Sequence, residues 1–300
     1  MRILLTGPTG QVGSALLAPL GSLGFVIPVA RAELDFSVGA SIEPTLDRVN
    51  PNLIINPAAY TAVDRAEEEP DVAHRINAEA PGIIARWAAL RRVPLVHFST
   101  DYVFDGSLER PWREQDPPGP LSVYGATKLA GEELIRAARG PHLIIRTSWV
   151  YAARGRNFLR TIARLARERE ELRIVSDQIG APTPARVIAQ TVARLLNVGA
   201  PDLARSFAAA DGLLHLTANG DTSWHGFAAR IVSGLRTRGI PLKVRAVLPI
   251  ATAEYLARAK RPKNSRLALD RLSRLFGIIT PQWEAALDPE LDELTQEILP

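Results

Sequence analysis

The stretch RILLTGPTGQVG, residues 2–13, decides the fold. Ile3, Leu4 and Leu5 form a short unbroken apolar run, which reads as a buried strand. The run stops at Gly7-Pro8, and glycines recur at 7, 10 and 13. Behind them Val12, Leu16, Leu17 and Leu20 fall at helical spacing. Strand, glycine turn and helix together open a βαβ unit. A residue without Cβ lets the backbone approach a pyrophosphate closely, and a helix start offers unpaired N–H groups to the anion. Gly7, Thr9, Gly10, Gln11, Val12 and Gly13 are therefore the candidate dinucleotide-phosphate loop. Its spacing differs from the G-x-G-x-x-G of many dehydrogenases.

Outward from this loop the same alternation continues. Apolar runs at 25–29, 53–55, 93–98 and 142–146 read as strands, and stretches at about 67–91, 123–139 and 184–197 read as helices. Strands alternating with helices argue an α/β fold with a Rossmann-like, doubly wound parallel sheet. After residue 200 the alternation weakens. Residues 1–150 are expected to form the dinucleotide-binding domain, with 172–200 returning to it. Residues 151–171 and 201–300 are expected to build a smaller α/β lobe for substrate.

The second strand ends Val29-Ala30-Arg31. An acidic residue at this place would hold a ribose 2′-hydroxyl, whereas an arginine suits a 2′-phosphate. Arg31 thus favours NADPH over NADH; Glu33 is the competing ribose ligand, and Asp35 and Phe36 are placed to flank the adenine. In SVYGATK (122–128), Tyr124 and Lys128 stand four apart and share a helix face. An ammonium beside a phenol favours the phenolate, and such a tuned tyrosine passes a proton to a carbonyl oxygen receiving hydride. Lys128 could also bond the nicotinamide ribose. The strand before it ends HFSTDYVFDG (97–106), which puts a hydroxyl, Ser99 or Thr100, where ligands bind in open α/β sheets. His97 lies within that strand and is expected to be a hydrogen-bonded core histidine. His225 is expected to cap a helix.

Composition excludes other chemistries. The 300 residues contain no cysteine, which removes disulfides, thiolate catalysis and zinc–cysteine sites. The net charge is +4, but arginines alternate with glutamates, as in RLARERE (164–170), rather than clustering for nucleic acid. No segment is long enough to cross a membrane, and the first apolar run is too short for a signal peptide. The expectation is a cytoplasmic protein with a small-molecule substrate and no nucleic-acid or membrane partner.

The motifs resemble one family closely. LLTGPTGQVG (4–13), NPAAYTAVDRAE (56–67), STDYVFDG (99–106), VYGATKLAGE (123–132), RTSWVY (146–151), Asn157-Phe158, DQIGAPT (177–183), TSWHGFA (222–228) and RPKNSRL (261–267) are similar to the dTDP-4-dehydrorhamnose reductases of the extended short-chain dehydrogenase/reductase superfamily. The resemblance runs nearly end to end. It implies NAD(P)H-dependent reduction of a nucleotide-sugar C4 ketone, with Tyr124 as proton donor, Lys128 as its tuner and Thr100 bonded to the ketone oxygen. It implies that Ala58, Ala59 and Tyr60 border the cofactor and that Thr61, Val63, Asp101, Tyr102 and Trp149 line the sugar pocket. Asn157 with Arg261 or Arg266 would approach the diphosphate. Some members dimerise through a magnesium ion held by glutamates; here Ala15 and Arg186 stand at those places. No metal is expected, and the chain would be a monomer or a homodimer built without one. The rival readings are an epimerase or dehydratase, and a non-catalytic NADP-binding regulatory subunit. A dehydratase would pair Asp-Glu after the threonine, where this chain has Asp101-Tyr102.

Overall fold

Ile3, Leu4 and Leu5 are wholly buried, as the unbroken apolar run demands of a strand covered on both faces. The structure, a computed structural model, describes residues 1–298. It begins β1 (Arg2–Thr6), α1 (Gln11–Gly21), β2 (Phe25–Val29), α2 (Ile42–Val49) and β3 (Leu53–Asn56). Two short helices, α3 (Val63–Ala66) and α4 (Pro70–His74), a π-helical turn at Arg75–Glu79 and α5 (Ala80–Arg91) follow. Then come β4 (Leu95–Thr100), α6 (Val123–Ala137), β5 (His142–Thr147), β6 (Val150–Tyr151), α7 (Phe158–Glu168) and β7 (Glu171–Val175). The chain continues through β8 (Ile179–Gly180), β9 (Thr183–Pro184), α8 (Ala185–Gly199), α9 (Leu203–Ala209), β10 (Leu213–His215) and β11 (Thr222–Ser223). It finishes α10 (Trp224–Thr237), β12 (Ala246–Ile250), α11 (Asp270–Phe276) and α12 (Trp283–Ile298).

The central sheet runs β10-β5-β4-β3-β1-β2, and every pairing in it is parallel. Side chains alternate between its faces with period two. Ile3 and Leu5 pack toward α1 and α8, whereas Leu4 packs toward α2 and α5. From β1 the chain moves outward to β2 and then crosses to β3 on the other side. The strand order reverses between β1 and β3, and the crevice at their carboxyl ends is where such sheets bind ligands. A second apolar core joins α7, α10 and α12 with β7 and β12, which pair with each other.

The expected helix over 67–91 is divided. Glu69 precedes Pro70, which sits in the first turn of α4, and the π-helical turn interrupts the run before α5. The expected strand at 93–98 begins two residues later, because Arg92 closes α5 in a left-handed conformation and Val93-Pro94 makes the turn. His225 does not cap α10; Ser223 does, while the histidine ring meets the Val247 carbonyl at 3.0 Å.

Two parts of the expected division of the chain need correction. Of residues 172–200, only α8 packs on the main sheet; β7 joins the second core through its pairing with β12. Of residues 201–300, β10 pairs with β5 in the main sheet, and Phe207, Leu272 and Phe276 pack into that sheet's core. The strand β10 has only three residues, too few to carry a readable pattern.

Candidate active site

The crevice opens into a cavity of about 630 Å³ walled by the loops after β1, β3, β4 and β5. The glycine loop forms one end. Gly7 takes φ +55°, and Gly13 packs so tightly that a Cβ there would collide with the Gly7 carbonyl. Gly10 caps α1 without a side chain, leaving the helix start open toward the cavity. This cradle fits a dinucleotide pyrophosphate. Gly7, Thr9, Gly10, Gln11, Val12 and Gly13 all line it, and so do Arg31, Asp35 and Phe36. Arg31 reaches Asp35 at 3.3 Å, and Asp35 also accepts from Ser37 through backbone and hydroxyl, which holds its carboxyl below the usual range. Glu33 does not line the cavity; it accepts from the Ala30 N–H at 3.2 Å.

Ala58, Ala59, Tyr60 and Thr61 follow β3 along the cavity wall. Their turn is held from behind. Asn77, fully buried in the π-helical turn, accepts from the Tyr60 N–H at 2.8 Å and donates to the Tyr60 carbonyl and to the Thr127 hydroxyl. The widened helical turn thus ties this loop to α6, in keeping with the placement of π-bulges near functional sites. The Tyr60 phenol is turned to Glu69 at 2.9 Å.

Thr100, Tyr124 and Lys128 meet on one wall. Thr100 ends β4, donates to Asp101 Oδ1 at 3.0 Å and accepts from the Tyr102 N–H. Ser122 caps α6 through the Gly125 N–H, which sets the helix that presents Tyr124. Burial pushes the Tyr124 phenol up, while Thr100 beside it pulls the other way. The lysine does not face the phenol as the spacing suggested. Lys128 is fully buried, donates to the Phe98 carbonyl at 2.6 Å and meets His97 Nε2 at 3.0 Å. Burial brings its ammonium down to about 8, with the Glu132 carboxylate opposing. The Tyr124 shift therefore comes first from desolvation, with the Asp101 charge adding to it, and not from a facing ammonium.

Asp101 is 2% exposed, and its Oδ2 has no partner. Burial raises its carboxyl to about 6, against hydrogen bonds from Ser265 and Thr100. Val63, Tyr102, Trp149 and Asn157 line the cavity with it. Trp149 adopts φ +48° and stacks on Trp224, ring centroids 3.6 Å apart, so a two-indole wall faces the space. Gly180 lies behind Trp149, and a Cβ there would come 2.6 Å from the indole. Asn157 is occupied structurally. Its Oδ1 caps α7, and its amide donates to Gln11 at 3.0 Å and to the Ala152 and Arg154 carbonyls.

The two arginines of RPKNSRL are not in the cavity wall. Arg261 stands beside Tyr102 and pairs with Asp64 at 2.7 Å. Arg266 is placed elsewhere, along a second cavity with Pro111 and Asp221, donating to Asn264 Oδ1 at 2.9 Å and to the Glu109 carbonyl. The segment runs extended beside Trp112, with backbone bonds on both sides of Leu267. Alternation along that segment turns Ser265 toward Asp101 and Arg266 away. The residue reading missed Ser265, Trp224 and Arg156, the last two of which line the cavity. Trp224 lay in a quoted motif, but nothing local shows that it stacks on a tryptophan 75 positions earlier.

Among the described residues, no three metal-ligating side chains cluster, and no helix is long and apolar enough to cross a membrane. Arg186 pairs with Glu290 at 2.9 Å and with Glu293 at 2.6 Å.

Comparison with known proteins agrees with this architecture. The family model described as the RmlD substrate binding domain matches residues 1–296. A dTDP-4-dehydrorhamnose reductase of Burkholderia thailandensis is 46% identical over 291 residues, 96% of this chain and 97% of that protein. The Escherichia coli K12 dTDP-4-dehydrorhamnose reductase is 43% identical over 300 residues, 98% of each chain. The Bacillus anthracis dTDP-4-dehydrorhamnose reductase, solved in complex with NADP, superposes with a TM-score of 0.87 at 35% identity, covering 97% of this chain and 99% of that one. A cradle for a dinucleotide, a buried tyrosine and threonine beside it, and relatives matched over nearly their whole length place the chain in the RmlD substrate binding domain family, the family of the dTDP-4-dehydrorhamnose reductases.

Proposed function

We propose that the protein reduces the C4 ketone of dTDP-4-dehydro-L-rhamnose to the alcohol, with NADPH as the reductant and NADH as the weaker alternative. The observation that carries this reading is the meeting of Thr100, Tyr124 and Lys128 in the cavity that begins at the glycine loop. Bound reduced nicotinamide supplies the hydride. The chain's own residues do the rest. The glycine loop and the start of α1 hold the pyrophosphate. Arg31, rather than a carboxylate, lines the cavity beyond β2, which suits a 2′-phosphate.

Tyr124, kept protonated by burial, donates its phenolic proton to the ketone oxygen as that oxygen gains charge. Thr100, whose one hydroxyl hydrogen is held by Asp101 before substrate enters, turns it to that oxygen and gives it a second hydrogen bond. Lys128 sits on the cavity wall at the cofactor side and bonds the ribose. The indoles of Trp149 and Trp224 offer a flat face to the sugar, with Val63, Thr61 and Tyr102 completing its pocket. Arg261, at the rim beside Tyr102, is the nearer candidate for the diphosphate. The protein works in solution as a monomer or as a dimer that needs no bridging metal.

The test is absorbance at the reduced-nicotinamide band with purified protein, NADPH and dTDP-4-dehydro-L-rhamnose, with NADH and Tyr124→Phe in parallel. Oxidation that the variant loses by about 10²–10⁴-fold is the expected result. Cofactor binding without oxidation by the native chain sinks the reading.

A further inference from the structure

Behind the cavity wall a row of buried polar side chains leads to Lys128, and the reaction above uses none of its other three members. Thr6 Oγ1 meets Asn56 Oδ1 at 2.6 Å, Asn56 Nδ2 meets His97 Nδ1 at 3.1 Å, and His97 Nε2 meets Lys128 Nζ at 3.0 Å. Thr6 and Lys128 are 1% exposed, and Asn56 and His97 are 0% exposed. The row joins the ends of β1 and β3 and the middle of β4 to α6, so it runs from the glycine loop to the lysine.

Its hydrogens can be counted. A neutral imidazole has one N–H and one lone pair. The His97 ring is neutral, because burial and the neighbouring lysine hold its pKa well below the usual value. In the amide orientation present here, Thr6 donates to Asn56 Oδ1 and Asn56 Nδ2 donates to His97 Nδ1. The ring hydrogen is then on Nε2 and points at Nζ, which must accept it with the lone pair of an uncharged amine. If Lys128 is an ammonium, every bond reverses. Nζ donates to Nε2, the ring hydrogen moves to Nδ1, and the Asn56 amide turns over to accept it and to donate to Thr6. Either arrangement leaves all four groups paired, which matters because an unpaired buried polar group costs about 1–3 kcal/mol.

We propose that His97 is a positioning residue for Lys128: its ring, backed by the Asn56 amide, allows the buried lysine to change charge at the cofactor side of the site without breaking the row. In that change the lysine–histidine pair releases one proton to solvent on the side of the cavity that Lys128 lines, while the ring hydrogen passes from Nδ1 to Nε2 and the Asn56 amide turns over. One proton departs in all, the ring stays neutral, and the ammonium becomes an amine. The charged groups around the row are few. Glu132, one turn along α6 from Lys128, is fixed to Arg146 at 2.6 Å and to Ser99 at 2.5 Å. Asp101, with its carboxyl at about 6, and the Tyr124 phenol lie at the cavity end of β4 and α6. The lysine titration at about 8 therefore falls between theirs.

The inference rests on the reading of Lys128 as part of the reductase site, but its first test needs no substrate. The full chain labelled with ¹⁵N-histidine, with His97→Gln to assign the His97 resonances, reports the ring by NMR between pH 6 and 10. A change from the Nδ1–H tautomer to the Nε2–H tautomer as pH rises is expected. A single tautomer throughout, or an imidazolium at neutral pH, overturns the proposal. The second test follows kcat against pH. His97→Leu is expected to move the limb near pH 8 by ~1 pH unit or more. His97→Gln, whose amide both donates and accepts, is expected to restore it. A fall in thermal stability in both variants with an unmoved limb would leave His97 a structural residue and end the proposal.

Discussion

Tyr124 and Asp101 show how burial outweighs hydrogen bonding in sorting protons at this site. The phenol is pushed up and so remains a donor at neutral pH, while the Asp101 carboxyl stops titrating at about 6 instead of 3.8. The unfolded chain releases the Asp101 proton near 3.8, and the folded chain releases it only near 6. Folding thus takes up a proton between those values, and stability falls as pH rises from about 4 to about 6. The displacement corresponds to ~3 kcal/mol. Asp101→Asn should abolish that part of the slope, so denaturant titrations at pH 4 and pH 6.5 should differ less for the variant than for the native chain. An unchanged slope would place the proton elsewhere. Thr100→Val removes the hydroxyl that Asp101 orients. It should lower kcat by about 10²-fold or more with little change in NADPH affinity, read by initial rates and by cofactor fluorescence titration. At this scale the sequence was readable wherever function followed a local period. Tyr124 and Lys128 share a face because they are one helical turn apart. The partners of Lys128 were not readable, since His97 and the Phe98 carbonyl lie on a strand 31 and 30 positions away and no local spacing encodes that approach.

Among the elements, α6 and β5 are joined by a buried ion pair, Glu132 with Arg146, to which Ser99 on β4 adds a bond. Glu132→Ala strands a buried guanidinium and should cost about 3–5 kcal/mol, measured as a lower denaturation midpoint. On the opposite wall, β8 passes so close behind Trp149 that only glycine fits at position 180. Gly180→Ala should push the indole into the cavity and lower kcat/KM for the nucleotide sugar by roughly 10- to 100-fold, while NADPH still binds. Loss of NADPH binding instead would show that the change reaches the glycine loop. The strands of the main sheet were legible as unbroken apolar runs because both of their faces are covered. That Arg266 lines a different cavity was not readable, for the converse reason: which way a residue points along an extended segment depends on its pairing with Trp112, more than 150 positions earlier.

For the whole molecule, Arg186 holds the start of α8 against α12 through Glu290 and Glu293, and Glu290 also accepts from the Ala153 N–H at 2.7 Å. A cationic side chain ties these carboxylates together without a metal ion. Chelation with EDTA should leave thermal stability, turnover and elution volume unchanged, and a shift in any of them on adding magnesium would contradict this arrangement. The two apolar cores were only half legible, because the chain passes between them several times after residue 150.

The last strand of the main sheet, β10, follows α7, β7 and α8 in the chain and pairs along β5. On the ribosome, the first 200 residues would therefore emerge with β5 as an open flank, its N–H and C=O groups offered to any other strand. From the end of β5 at Thr147 to the start of β10 at Leu213, synthesis at about 5–20 residues per second leaves that flank uncovered for roughly 3–13 s. Three residues thus set when the nascent chain becomes safe from its neighbours.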